Sequence, residues 1–153
     1  MMLTRMTKKL IQRYWRMTRA LTLGVRGIVV DGEGRVLLVR HTYTPGWHLP
    51  GGGVEFGETA ETSLRRELLE EAGVSLTGPA ELLGIYANFE LFPGDHVIVF
   101  TARVWEQSRP LAPSREIAEA RFFETRSLPD GTTAGTRRRI AEFVSQSPVQ
   151  PVW

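Results

Sequence analysis

Apolar positions gather in five short runs and two stretches of helical spacing. Residues 21–30 and 36–40 are apolar and rich in β-branched side chains. The polar turn Asp31-Gly32-Glu33-Gly34 separates them, which predicts a β-hairpin. Residues 80–92 and 96–106 predict a second hairpin, joined at Pro93-Gly94-Asp95, and residues 120–124 a further short strand. Residues 60–72 are built from Ala, Leu, Glu and Arg, all good helix formers. Thr59 suits the N-cap, Glu61 the first turn and Gly73 the left-handed stop. Leu64, Leu68 and Ala72 fall at i, i+4 and i+8, a stripe that should bury. Residues 133–145 predict a second helix, with Ile140 and Phe143 inward and Arg137, Arg138 and Arg139 on a solvated face. Residues 147–153 carry two prolines and read as an irregular tail. Hairpins combined with two helices suit an α/β sandwich with a mixed sheet.

The first helix carries chemistry beside its apolar stripe. Glu67, Glu70 and Glu71 stand at i, i+3 and i+4, so their carboxylates share one face. Like charges so placed repel each other and weaken the helix. A hard divalent cation reverses that cost, because Mg²⁺ prefers oxygen ligands and sits between carboxylates and substrate phosphates. The alternative from these residues alone is a solvated face neutralised by Arg65 and Arg66. Just upstream, Pro50-Gly51-Gly52-Gly53 is either a plain turn or a backbone able to approach a ligand closely.

The chain has 153 residues, enough for one domain with a substantial core. It has no cysteine, which excludes disulfides, thiolate catalysis and Cys-based zinc sites. No apolar run is long enough to span a bilayer, and no secretory leader pattern is visible, so a cytoplasmic location is expected. The net charge of +2 hides an asymmetry: residues 1–19 hold six basic residues and no acid, which leaves −4 on the rest. This arm (Arg5, Lys8, Lys9, Arg13, Arg16 and Arg19) also has a helical apolar stripe of Leu3, Met6, Leu10, Tyr14 and Trp15. It could meet RNA or an anionic membrane, act as a transit sequence, or pack on its own domain or on the second subunit of a homodimer. The expected organisation is an arm over 1–19, a domain over 20–146 and a tail over 147–153.

Residues 52–74 read G-x5-E-x7-R-E-U-x-E-E-x-G-U, where U is Leu68 or Val74 and the fixed letters are Gly52, Glu58, Arg66, Glu67, Glu70, Glu71 and Gly73. With each letter at about 7% background, a chance match at one position is on the order of 10⁻⁸. The stretch resembles the box of Nudix hydrolases, which cleave a nucleoside diphosphate linked to another group. The resemblance is specific over residues 49–74 and looser in element order over 21–145. It implies a layered α/β/α fold and Mg²⁺, with Mn²⁺ as a substitute. By position it implies Glu67, Glu70 and Glu71 as metal ligands, Glu58 as the outer glutamate and Arg66 as the residue that orients the carboxylates. The glycine loop, Gly51 to Gly53, would shape the metal site, with Gly51 a ligand and Gly52 and Gly53 against the substrate. The general base is Glu67 or Glu71, joined by a downstream glutamate, Glu116 first and Glu119 second.

Substrate choice in such proteins rests outside the box. Arg40 could contact phosphate, and Tyr43, Trp47 and Phe89 could stack on a base. His41, His48 and His96 show no ligand spacing and read as non-ligands, and Tyr86 and Pro93 do not match subfamily markers. The function implied is hydrolysis of an NDP-X or NTP small molecule. The alternatives are a nucleotide sensor that does not cleave, or an enzyme acting on RNA 5′ ends through the basic arm.

Overall fold

The computed structural model describes Tyr14 and residues 21–90 and 92–153; the expectations for the rest of the basic arm lie outside them. The described elements are β1 (Thr22–Val29), β2 (Val36–His41), α1 (Ala60–Ala72), β3 (Val74–Leu76), β4 (Ala80–Ala87), β5 (Asp95–Ala102), β6 (Trp105–Gln107), β7 (Ile117–Phe123) and α2 (Ala134–Ser145). β1 runs parallel to β5, from Thr22 opposite Asp95 to Val29 opposite Ala102, and β4 lies antiparallel on the other edge of β5. β2 pairs antiparallel with β7, and β3 with β6. The sheet is therefore mixed, as expected.

Two-residue alternation sends the strand side chains into two cores. Val25 and Val29 of β1, with Leu37 and Val39 of β2, pack on Leu64, Leu68 and Ala72 of α1. Ile28 of β1, with Val36 and Leu38 of β2, packs on Ile140 of α2. Helix, sheet and helix form the three layers. α1 begins where Thr59 Oγ1 accepts from the Thr62 N–H at 3.1 Å, and it ends at Gly73 with φ of 61°. No helix among the described residues is long and apolar enough to cross a membrane.

Three readings of the pattern need correction. The first hairpin does not form a ladder, since β1 and β2 meet only at the single bridge Val30–Val36. Both edges of β1 are already taken: β5 holds one and residues 50–54 the other. There Val25 donates to Gly52 O at 2.8 Å, Gly27 to Pro50 O at 2.9 Å, and Val54 to Leu23 O at 2.8 Å. The run over 96–106 breaks after Ala102, and its last part turns away as β6 to pair with β3. β3 follows directly on a helix and has three residues, too few to show a period. Arg139 is fully buried rather than solvated; its guanidinium lies 4.0 Å over the Tyr86 ring and donates to Glu142 at 2.8 Å. The tail is irregular yet docked, with the Trp153 N–H donating to Ala87 O at 2.9 Å.

Leu68 has no exposed surface, whereas its neighbour Leu69 is 42% exposed. Leu68→Ala should therefore lower the unfolding free energy by about 3 kcal/mol, and Leu69→Ala by less than about 1 kcal/mol. Urea unfolding of the two variants measures the difference.

Candidate active site

The exposed edge of α1 is organised by one arginine. Arg66 grips Glu58 with two parallel bonds, Nε to Oε1 at 2.9 Å and Nη2 to Oε2 at 3.0 Å. Nη1 donates to Glu67 Oε1 at 2.8 Å and reaches Glu70 Oε2 at 3.4 Å. Ser63 Oγ adds a third bond to Glu58 at 2.5 Å. Bonds from Arg66, and then from Ser63, hold the Glu58 carboxyl down at about 2. The Arg66 pKa is raised in turn, first by Glu58 and next by Glu67. Arg66 thus fixes three carboxylates with one charge.

Glu71 is held differently, with no guanidinium on it. Its side chain is 10% exposed, the Gly51 N–H donates to Oε2 at 2.8 Å, and His41 Nε2 lies 3.6 Å from Oε1. Burial pushes this carboxyl up to about 7, against the Gly51 bond and the charge of Arg26. The charges of Glu67 and Glu116 push it up further. His41 is lowered to about 4, mainly by burial and then by Arg26 and His48, so at neutral pH it is uncharged and its contact with Glu71 is not an ion pair. Its Nδ1 is buried without a partner. Close approach explains the glycines here: a Cβ on Gly51 would lie 2.1 Å from Val25 O, and one on Gly52 would lie 2.3 Å from Glu67 Oε1.

The loop before β7 closes the far wall. Ser114 Oγ accepts from the Ile117 N–H at 3.0 Å, and the Thr42 N–H donates to Glu116 O at 2.9 Å. A cleft of about 290 Å³ results, lined by Glu67, Glu70, Glu71, Ser114, Arg115, Glu116 and Ile117. The structure brings Glu116 to the box glutamates. Glu119 is elsewhere, paired with Arg40 at 3.0 Å and Arg121 at 3.6 Å. Among the described residues no three acidic, His or Cys side chains converge on one point. The donor chemistry nonetheless fits a hard cation: the cleft presents four carboxylates and no sulfur.

The residues proposed for substrate contact divide. Tyr43 is 71% exposed, with its ring 5.2 Å from that of His41, and its hydroxyl pKa is raised by burial and then by the charges of Glu71 and Glu116. It stands beside the cleft. Arg40 and Trp47 do not line it. Arg40 lies on the strand face of Leu38, opposite the face that meets α1, and it extends over Trp47 at 5.7 Å. Trp47 is 8% exposed, with its ring 4.9 Å from Phe123 in the core, which leaves no face for a base. Phe89 is exposed near His96, at 6.3 Å between ring centres, and does not line the cleft. Gly53 carries its carbonyl toward Arg66 Nη2 at 3.3 Å. Sequence reasoning missed the positions of His41 and Arg26. His41 could have been found by strand alternation from Val39, and Arg26 as an isolated charge inside an apolar strand.

Known proteins resemble the chain in sequence and in fold. An ADP-ribose pyrophosphatase of Methanocaldococcus jannaschii is 32% identical over 104 residues, which span 66% of this chain and 61% of that protein. A Bacillus subtilis protein provisionally named an 8-oxo-dGTP diphosphatase is 31% identical over 122 residues, 80% of this chain and 79% of the relative. The crystal structure of a MutT Nudix hydrolase from Burkholderia pseudomallei superimposes with a TM-score of 0.67 at 28% identity, covering 78% of this chain and 95% of that one. Residues 20–143 match the model of the NUDIX domain, and the chain therefore belongs to the Nudix family.

Proposed function

We propose that the chain is a divalent-cation-dependent pyrophosphohydrolase acting on a nucleoside diphosphate linked to another group, or on a nucleoside triphosphate. The observation that carries this reading is the meeting of Glu116 with Glu67, Glu70 and Glu71 around one cleft, from loop and helix respectively. The relatives bear names for two different nucleotide substrates, so they support the reaction class rather than one substrate. Glu67, Glu70, Glu71 and Glu116 would hold Mg²⁺ or Mn²⁺, while the Gly51 carbonyl is engaged by Arg26. When bound, such a cation neutralises diphosphate charge and acidifies water. The roles of the chain's own groups follow from their neighbours. Arg66 holds Glu58, Glu67 and Glu70, so these carboxylates already have a cation as partner. Glu71 is free of arginine and held by a backbone N–H, so it is the better base for the attacking water. Gly52 lets Glu67 approach the loop, and Tyr43 offers an exposed ring at the rim.

Two outcomes follow. Glu70→Gln and Glu71→Gln should each cut Mg²⁺-dependent turnover at least about 100-fold. The substrates to assay are ADP-ribose, sugar nucleotides, dinucleoside polyphosphates, nucleoside triphosphates and 5′-triphosphate RNA. Full activity in both variants would sink the hydrolase reading. Cation loading should also depend on pH. Glu71 keeps its proton up to about 7, so binding must displace that proton below this point. The apparent Mn²⁺ affinity should tighten about tenfold between pH 6 and 8, and Glu71→Gln should flatten this dependence. Titration followed by electron paramagnetic resonance reads it directly.

A further inference from the structure

The cleft poses an electrostatic problem that its carboxylates cannot solve: a diphosphate is an anion approaching four acidic side chains. Most cations nearby are already committed. Arg66 serves Glu58, Glu67 and Glu70, Arg65 pairs with Glu61 at 2.7 Å, and Arg40 pairs with Glu119. Arg109 donates to the carbonyls of Leu69 and Glu70 at the end of α1.

Arg26 differs from the ion-paired arginines in its partner, and from Arg109, which is exposed, in its burial. It stands in β1 between buried Val25 and Gly27, is itself half-buried, and has no carboxylate partner within ion-pair distance among the described residues. Its guanidinium donates to the carbonyl of Gly51, the residue whose N–H holds Glu71. Gly51 thus stands between Arg26 and Glu71, its carbonyl on one and its N–H on the other. One Nη is used on a carbonyl, so the fork keeps further N–H groups that a phosphate can take. A half-buried cation whose bond is to a neutral carbonyl has more to gain from an arriving anion than one already paired.

We propose that Arg26 binds the diphosphate of the substrate from the glycine-loop side, where its guanidinium lies on the carbonyl of Gly51. This rests on the pyrophosphohydrolase reading and adds to it the group that recognises the anion. Between substrates, the Gly51 carbonyl keeps the guanidinium extended, so the side chain is ordered before binding. Arg115 is the competing candidate; it lines the carboxylate cleft, is exposed, and makes no side-chain hydrogen bond or ion pair among the described residues.

The test measures binding by isothermal titration of the α,β-methylene analogues of ADP, GDP, CDP and UDP, with Mg²⁺ present. Wild type, Arg26→Ala, Arg26→Lys and Arg115→Ala are compared, with Tm recorded for each. Arg26→Ala should weaken the analogue that wild type binds by at least about tenfold, and raise KM more than it lowers kcat. Arg26→Lys should recover part of the loss, because a charge is restored without the fork. At pH 8, where Glu71 has lost its proton, Mn²⁺ affinity without nucleotide should fall far less than nucleotide affinity in Arg26→Ala. If the analogue binds equally to wild type and Arg26→Ala, or if the loss appears in Arg115→Ala instead, the assignment of Arg26 is overturned while the hydrolase reading stands. A loss of Mn²⁺ affinity matching the loss of nucleotide would overturn it too, since Arg26 would then act by supporting Gly51. Absence of any analogue binding by wild type would instead overturn the diphosphate reading and Arg26 with it.

Discussion

Crowding of carboxylates at the edge of a hydrophobic layer is the constraint to which the rest of the molecule answers. Leu64, Leu68 and Ala72 must be buried for α1 to dock, and the same helix turns carry Glu67, Glu70 and Glu71 to the rim of that contact. The repulsion is divided rather than removed. One arginine gathers Glu58, Glu67 and Glu70, and a glycine N–H receives Glu71. The outcome is that Glu58 is held strongly acidic while Glu71 is held near neutrality. This inequality gives the side chains different work to do.

Legibility in the sequence followed the range of the interactions. α1 was readable to its ends, because cap, stop and apolar stripe are all local signals: Thr59, Gly73 and the stripe of Leu64, Leu68 and Ala72 stand where the pattern places them. Glu116 was readable as a candidate only through resemblance, and its arrival at the cleft depends on Thr42 and Ser114, which no periodicity reveals. The separation of β1 from β2 was hidden, since a turn signal reports that two strands are consecutive but not that other partners have filled the edge. Arg40, expected at phosphate, pairs with Glu119 instead of lining the cleft. Adjacent residues on a strand point to opposite faces, and it is His41 that reaches Glu71.

Burial of charge misled in the same way. Arg139 sits in a run of three arginines that looks solvated, yet the ring of Tyr86 and the carboxylate of Glu142 draw it inside. Glu142 also accepts from the Tyr86 hydroxyl at 3.0 Å and the Gln150 N–H at 3.1 Å, so α2, β4 and the tail are fastened at one point. The pairing spans distances in sequence that composition cannot show.

Residues 47–54 serve two masters. On one side His48 exchanges both backbone bonds with Val39 of β2, at 2.9 Å each; on the other, Pro50, Gly52 and Val54 complete the edge of β1. The same few peptides present Gly51 to Glu71 and Gly52 to Glu67. The segment is thus a seam that stitches two ladders together and forms one wall of the cleft at the same time. A molecule built this way has no inexpensive route to a loosened cleft on an intact scaffold: opening the seam separates the sheets. Damage elsewhere in the core would therefore register as fewer competent molecules, each with ordinary chemistry, and not as a uniform population of sluggish ones.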